Sequence, residues 1–219
     1  MDEPTTAPAR RGRPPASSRR EIEAVALELF LENGFTETTL ASITAAARVS
    51  KTSFFRYFPS KGDIVWAAFA DYTRDLVDRL DAVSDHDAPT MDLVRACLTG
   101  ALAARIDPDG LWMRRFEVIE GSAELRGEES QQWSTWTTAV SGFVARRHGF
   151  APDDVVPQSI GGAVHGGYLA VLRSWVSRPD LSPAMAGELD ERLTVMTDGL
   201  QGWLDAVAPR TTDPGPPAA

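Results

Sequence analysis

Residues 39–61, TLASITAAARVSKTSFFRYFPSK, constrain the fold more than any other stretch of the chain. Leu40, Ile43 and Ala47 share one face of a short helix that Thr39 can cap. After a brief turn, Ser50 can cap a second short helix running from Lys51 to about Phe58. Each is only about two turns long, below the length at which an isolated helix holds together in water. Such a pair buries nothing alone and must dock on a third element. The preceding stretch supplies it: Ser18 to Glu21 is a capping-box pattern, and Ile22, Val25, Ala26, Leu29 and Phe30 form one apolar face. Asn33-Gly34 ends that helix, Gly34 being suited to a left-handed terminating position. Val49 and Phe54 sit at the positions of a hydrophobic staple, Pro59 stops the second short helix, and Ser60 to Asp63 opens the next with another capping pattern.

The rest of the chain repeats the helical period. Val65, Phe69, Tyr72, Leu76 and Leu80 mark a long fourth helix to about Val83, and further helices are predicted over 90–105, 110–120, 123–148, 153–177 and 183–208. There is no sustained period-two alternation and no Asn-Gly or Asp-Gly hairpin between β-branched runs. The expected fold class is all-α: a three-helix N-terminal helix-turn-helix unit (17–62) and a larger C-terminal helical domain (63–208). Residues 1–16, Pro- and Arg-rich, and 209–219 read as disordered arms.

The net charge of −9 first argues against a nucleic-acid partner. Split at Lys61, the chain has a head of net +2 and a body of net −11. Contact with DNA is made by one face, not by the average charge, so a basic head on an acidic body is compatible with it. The single cysteine, Cys97, excludes an internal disulfide framework and a Cys-based zinc site. Residues 1–20 lack the apolar core of a signal peptide, and 160–176, broken by His165 and Arg173, is too short for a membrane span. A cytoplasmic protein with no membrane partner is expected.

On the second short helix, Lys51, Thr52 and Ser53 project from the first turn, where small or flexible donors can enter a major groove. Its backbone N–H groups, beginning at Ser50, favour a phosphate, as do the Thr39 hydroxyl and the Lys61 charge. The stretch 19–65 resembles the DNA-binding head of the tetracycline-repressor (TetR) family, through Thr39, Ile43, Ala47, Val49-Ser50-Lys51, Phe54, Tyr57-Phe58 and Ser60-Lys61. That resemblance implies an all-α homodimer on a palindromic double-stranded operator, whose second domain (63–208) serves regulation and dimerisation, binding a small molecule that loosens the grip on DNA. Two positions depart from the pattern. Arg48 stands where many members have Gly, and Phe55 where many have Tyr, so a phenol-to-phosphate contact passes to Arg56 or Tyr57. A left-handed backbone at Arg48 would cost something near 1 kcal/mol, which a phosphate contact can offset.

Arg10, Arg11 and Arg13 resemble the Arg-Gly-Arg-Pro core of minor-groove hooks, with a solvated basic tail as the plainer reading. In the second domain, Trp112, Phe116, Trp133, Trp136, His165 and Tyr168 are candidates to line a pocket for an apolar or amphipathic effector. Core or dimer packing is the competing reading for each. Gly161, Gly162, Gly166 and Gly167 around His165 suit close helix approach, and Leu189, Leu193, Met196, Leu200, Trp203 and Leu204 make an apolar stripe that the resemblance assigns to a two-fold four-helix interface. Arg114, Arg115, Arg146 and Arg147 fit either an anionic ligand group or a solvated face. The run 54–61 with Trp66 looks like a subgroup containing mycofactocin-system regulators, which by that looser likeness implies a fatty acyl-CoA effector. No catalytic motif is present, and the three histidines lack metal spacing, so neither an enzyme nor a cofactor is expected. A helical ligand-binding or scaffolding module with a degenerate DNA head is the alternative, and activation competes with repression.

Overall fold

Capping decides where the first helix begins. The Ser18 hydroxyl accepts the Glu21 N–H at 3.2 Å and the Glu21 carboxylate accepts the Ser18 N–H at 2.6 Å, closing a capping box that opens α1 (Arg19–Asn33). The computed structural model describes residues 18–84, 87–106, 109–176, 178 and 184–208, and every regular element among them is an α-helix. α1 ends at Gly34, whose φ of 86° and ψ of 150° lie in the extended positive-φ region that essentially only glycine enters, not in the left-handed helical one expected.

α2 (Leu40–Ala46) and α3 (Lys51–Phe55) complete the head. Thr39 and Ser50 cap them as the sequence predicts, accepting the N–H groups of Ser42 and Ser53. α3 stops sooner than predicted, because Arg56 and Tyr57 form a turn in which the Tyr57 N–H reaches the Phe54 carbonyl at 2.9 Å. Five residues cannot sustain a helix by propensity. What holds α3 is burial: Phe54 and Phe58 are fully buried with ring centroids 5.6 Å apart, among the equally buried Ile22, Leu27 and Ile43. Each such aromatic contributes roughly 1.5–3 kcal/mol.

α4 (Asp63–Asp81), about 28 Å long, leaves the head and enters the body. The Ser60 hydroxyl accepts the Asp63 N–H at 3.2 Å, although Gly62, not Ser60, is the residue preceding the helix. The body contains α5 (Thr90–Ala103), α6 (Leu111–Gly121), α7 (Ala123–His148), α8 (Val155–Trp175) and α9 (Met185–Val207). α4 packs between α5 and α7, α8 lies on α7 and α9, and α5 lies on α9, where Arg95 bridges to Asp190 at 2.9 Å and donates to Thr197 at 3.1 Å. No helix among the described residues is long and apolar enough to cross a membrane.

The glycines of α8 divide by side. A Cβ on Gly161 would collide with Ser141 and the Thr137 carbonyl of α7, and one on Gly167 with Met196 of α9, whereas Gly162 and Gly166 face open space. Head and body meet where α1 packs on α6. There Arg115 reaches Glu23 at 2.6 Å with both side chains nearly buried. Around this joint the Trp66 indole donates to Glu128, the Thr36 hydroxyl donates to Glu124, and Arg20 pairs with Asp109.

Candidate functional site

The turn between α2 and α3 is a Schellman motif: the Val49 N–H bonds the Thr44 carbonyl at 3.0 Å and the Arg48 N–H bonds that of Ala45 at 3.2 Å. The motif places its central residue at positive φ. Arg48 takes φ 54°, the one non-glycine residue to do so among the described residues, and its side chain is exposed. The strain expected at Arg48 is therefore present.

The first turn of α3 presents Lys51 and Thr52 to solvent. The Ser50 hydroxyl accepts the Ser53 N–H at 3.1 Å and the two hydroxyls lie 3.0 Å apart, so Ser53 is held against its cap. Phe55 is half exposed, its ring edge-on to Phe54. Arg56 folds over the Tyr57 ring at 4.7 Å and donates to the Tyr57 hydroxyl at 2.9 Å, which joins a cation to a phenol on the same face. Thr39 is exposed and engaged with Ser42 through cap and hydroxyl. Lys61 differs: its ammonium donates to the carbonyls of Phe35 at 2.7 Å and Thr38 at 3.3 Å and lies over the Phe35 ring at 4.1 Å. Its charge pins the α1–α2 loop. Arg10, Arg11 and Arg13 lie outside the described residues.

In the body, Trp133 and Trp136 of α7 touch His165 and Tyr168 of α8, with ring centroids 5.2–6.1 Å apart. Tyr72 of α4 stacks on Tyr168 at 5.7 Å and meets Trp112 of α6 at 5.4 Å, and Phe69 bridges Trp112 and Trp133. Five of the six sequence candidates thus form one aromatic cluster. Phe116, fully buried on α6, is not among these ring pairs. The rings pack on one another, so a ligand has to part them.

The cluster is polar at unexpected points. The hydroxyls of Tyr72 and Tyr168 and the Trp136 indole meet one another, and the Trp133 indole meets Glu129, short of ordinary hydrogen-bond geometry, while Nε2 of His165 is buried with no hydrogen-bond partner among the described residues. Leaving a group such as the His165 Nε2 unsatisfied costs about 1–3 kcal/mol. Burial raises Tyr72 and Tyr168 far above the usual phenol range, so both remain donors. Burial, with Arg173 second, lowers the pKa of His165 and keeps the imidazole neutral at pH 7. Tyr72 and Phe69 were legible in the sequence only as core positions of α4; a tyrosine within that apolar stripe was the available signal. Of the four arginines considered, Arg114 is exposed, Arg115 pairs with Glu23, Arg146 pairs with Asp81 at 2.8 Å, and Arg147 donates to Thr90 and the Ala88 carbonyl.

Comparison with known proteins agrees with this architecture. Residues 22–68 match the family model for the bacterial regulatory proteins of the tetR family, and residues 88–201 match that for the MftR C-terminal domain. Over 192 residues, 88% of this chain and 96% of the relative, the sequence is 29% identical to a Mycobacterium tuberculosis protein named "Putative mycofactocin biosynthesis transcriptional regulator MftR". It is 26% identical over 194 residues to the regulator TcmR of Streptomyces glaucescens, covering 84% of this chain and 86% of TcmR. SmeT, the repressor of the Stenotrophomonas maltophilia efflux pump SmeDEF, superposes with a TM-score of 0.57 at 19% identity, covering 93% of this chain and 96% of SmeT. Thermus thermophilus FadR, solved with lauroyl-CoA, superposes with a TM-score of 0.51 at 20% identity, covering 91% of this chain and all of FadR. The chain belongs to the tetracycline-repressor family of bacterial transcriptional regulators, with a C-terminal domain of the MftR type.

Proposed function

We propose that the protein is a cytoplasmic, homodimeric repressor that leaves its operator when a small apolar or amphipathic effector, of the acyl-CoA class, enters the aromatic cluster. The observation that carries this reading is the cluster itself: apolar faces of four helices enclose the Tyr72, Tyr168 and Trp136 polar groups, which meet one another, and a His165 Nε2 with no partner among the described residues. A ligand with one polar group and an apolar body satisfies such an interior. Lauroyl-CoA in Thermus thermophilus FadR, a structural neighbour, supports the chemical class.

On the DNA side, Lys51, Thr52 and Ser53 enter the major groove from the first turn of α3, while Arg48 and the Arg56–Tyr57 pair take flanking phosphates. Two copies meet through the open sides of α8 and α9, where Gly162, Gly166, Gly199 and Gly202 face open space and Val155, Val195, Trp203 and Val207 are exposed. A two-fold dimer reads a palindromic site. The test is a fluorescence-anisotropy titration against fragments of the upstream region at two salt concentrations, followed by lauroyl-CoA. Saturable binding to one fragment, reversed by lauroyl-CoA but not by an unrelated anion, is the expected outcome. Equal, weak binding to every fragment refutes the repressor reading, and operator binding indifferent to lauroyl-CoA refutes the effector class.

A further inference from the structure

A crevice of about 420 Å³ opens between head and body, lined by Arg19, Arg20 and Glu23 of α1, Asp71 of α4, Arg105 beyond α5, and Arg115 of α6. Four guanidinium groups converge there in a protein whose residues 62–219 carry a net charge of −11. The internal partners neutralise only some of them. Arg115 is matched by Glu23 and Arg20 by Asp109, while the Asp71 carboxylate takes Arg74 at 2.7 Å. Arg105 donates Nη2 to the Asp71 backbone carbonyl at 3.1 Å, and its Nε is buried with no acceptor. Arg19 lies over the Phe58 ring at 5.1 Å and makes no ion pair among the described residues. Two cations without counter-charges among the described residues, on opposite domains of one crevice, match an anion with several acceptor oxygens.

We propose that this crevice binds a phosphate-bearing small molecule, a nucleotide diphosphate group held by Arg105 from the body and Arg19 from the head. Guanidinium is the side chain best suited to it, because its planar fork meets phosphate oxygens in pairs. The back wall is Trp112, only 2% exposed, whose ring touches Phe69 at 4.7 Å and Tyr72 at 5.4 Å. The crevice and the aromatic cluster are therefore two sides of one indole. The link between them rests on the effector reading: an acyl-CoA would place its acyl chain beyond Trp112 and its phosphates among the arginines. A free nucleotide would use the arginines alone. Either way the anion spans both domains and sets their relative position.

The experiment measures binding of coenzyme A, lauroyl-CoA and laurate by calorimetry to the full chain and to its Arg105→Gln, Arg105→Lys and Arg19→Gln variants, with operator binding read in parallel. Thermal melts confirm that each variant folds. Arg105→Gln is expected to weaken coenzyme A and lauroyl-CoA by about tenfold, the loss of one charged hydrogen bond, with laurate unaffected. Arg105→Lys recovers part of that loss, and operator affinity without ligand stays at the wild-type value. Lauroyl-CoA tighter than both coenzyme A and laurate identifies the effector's own head group as the occupant; coenzyme A as tight as lauroyl-CoA identifies a free nucleotide. Equal binding of both thioester and coenzyme A to wild type and variants overturns the crevice, and if lauroyl-CoA still releases the operator, the effector reading stands without it. Failure of coenzyme A and lauroyl-CoA to bind wild type also overturns it. Loss of ligand-free operator binding in Arg105→Gln overturns it too, by assigning the arginines to DNA phosphate.

Discussion

Arg115 of α6 and Glu23 of α1 meet at 2.6 Å inside the joint between head and body, with side-chain exposures of 7% and 11%. Removing one partner leaves the other charged and buried, which costs about 3–5 kcal/mol. Glu23→Gln is expected to lower the thermal midpoint by roughly 6–20 °C, from about 2–4 °C per kcal/mol in a chain of this size. The double variant Glu23→Leu/Arg115→Met is expected to recover most of that loss. Calorimetric melts of the two decide it, and a double variant as unstable as the single one would show that the pair is not the cause.

Arg48 holds φ 54° in the α2–α3 turn. Glycine there removes a side-chain clash of about 1–2 kcal/mol and adds unfolded-state entropy of about 0.4–1 kcal/mol, so Arg48→Gly is expected to stabilise by roughly 0.5–1 kcal/mol. If the guanidinium sits on a phosphate, the same change weakens operator binding and lowers the salt slope by about one. Urea unfolding and two-salt anisotropy read the two effects separately.

Lys51 and Lys61 separate binding from folding. Lys51 is exposed at the start of α3, and its change to Ala is expected to cost operator affinity about tenfold or more while leaving the melt unchanged. Lys61 bonds the Phe35 and Thr38 carbonyls, so Lys61→Met is expected to lower stability by about 1–3 kcal/mol and leave the salt slope near wild type. The reverse pattern in melts and anisotropy would place Lys61 on DNA.

Tyr168 carries a fully buried hydroxyl that meets the Tyr72 hydroxyl short of ordinary hydrogen-bond geometry. Tyr168→Phe is expected to keep or raise stability, by up to about 1 kcal/mol, and to weaken the effector. A clear loss of stability in urea would mean that the hydroxyl is well satisfied.

Acidification is expected to destabilise the fold through two histidines. Burial, then Arg173, lowers the His165 pKa; burial, then Arg147, lowers that of His148 against the opposing pull of Asp205. The native state then binds fewer protons than the unfolded state below an unfolded value near ~6.5. Their stabilisation is complete above that pH and declines through the window down to the lowered native values. Glu129, raised first of all by burial, acts in the opposite sense at lower pH. Unfolding free energies between pH 7 and 5 for His165→Gln/His148→Gln should show a flatter profile than wild type; an unchanged profile would reject the assignment.

Local chemistry was legible in the sequence and distant partnership was not. The caps at Ser18, Thr39 and Ser50 and the strain at Arg48 each depend on residues within a few positions of one another, so the spacing carries them. The early end of α3 was missed because the apolar period continues through Phe58 although the backbone has already turned. Five aromatic candidates were found because large rings in helices of one core tend to meet. Tyr72 was missed because its role depends on stacking against Tyr168, far along the chain. Lys61 reads in the sequence as a charge for DNA, and its bonds to the Phe35 and Thr38 carbonyls, more than twenty positions away, leave no mark in local spacing.

The glycines of α8 bear on how the interior can open. At Gly161 and Gly167 bare backbone is the contact surface toward α7 and α9, so the spacing of those three helices is set by main chain and by the Ser141 and Met196 side chains seated on it. Main chain does not change rotamer. That wall of the aromatic cluster is closely seated at Gly161, and in the proposed reading volume for a ligand comes from the wall opposite, Phe69 and Tyr72 on α4. Because α4 begins at the end of the head, widening the cluster by an ångström turns a 28 Å lever whose far end carries α3.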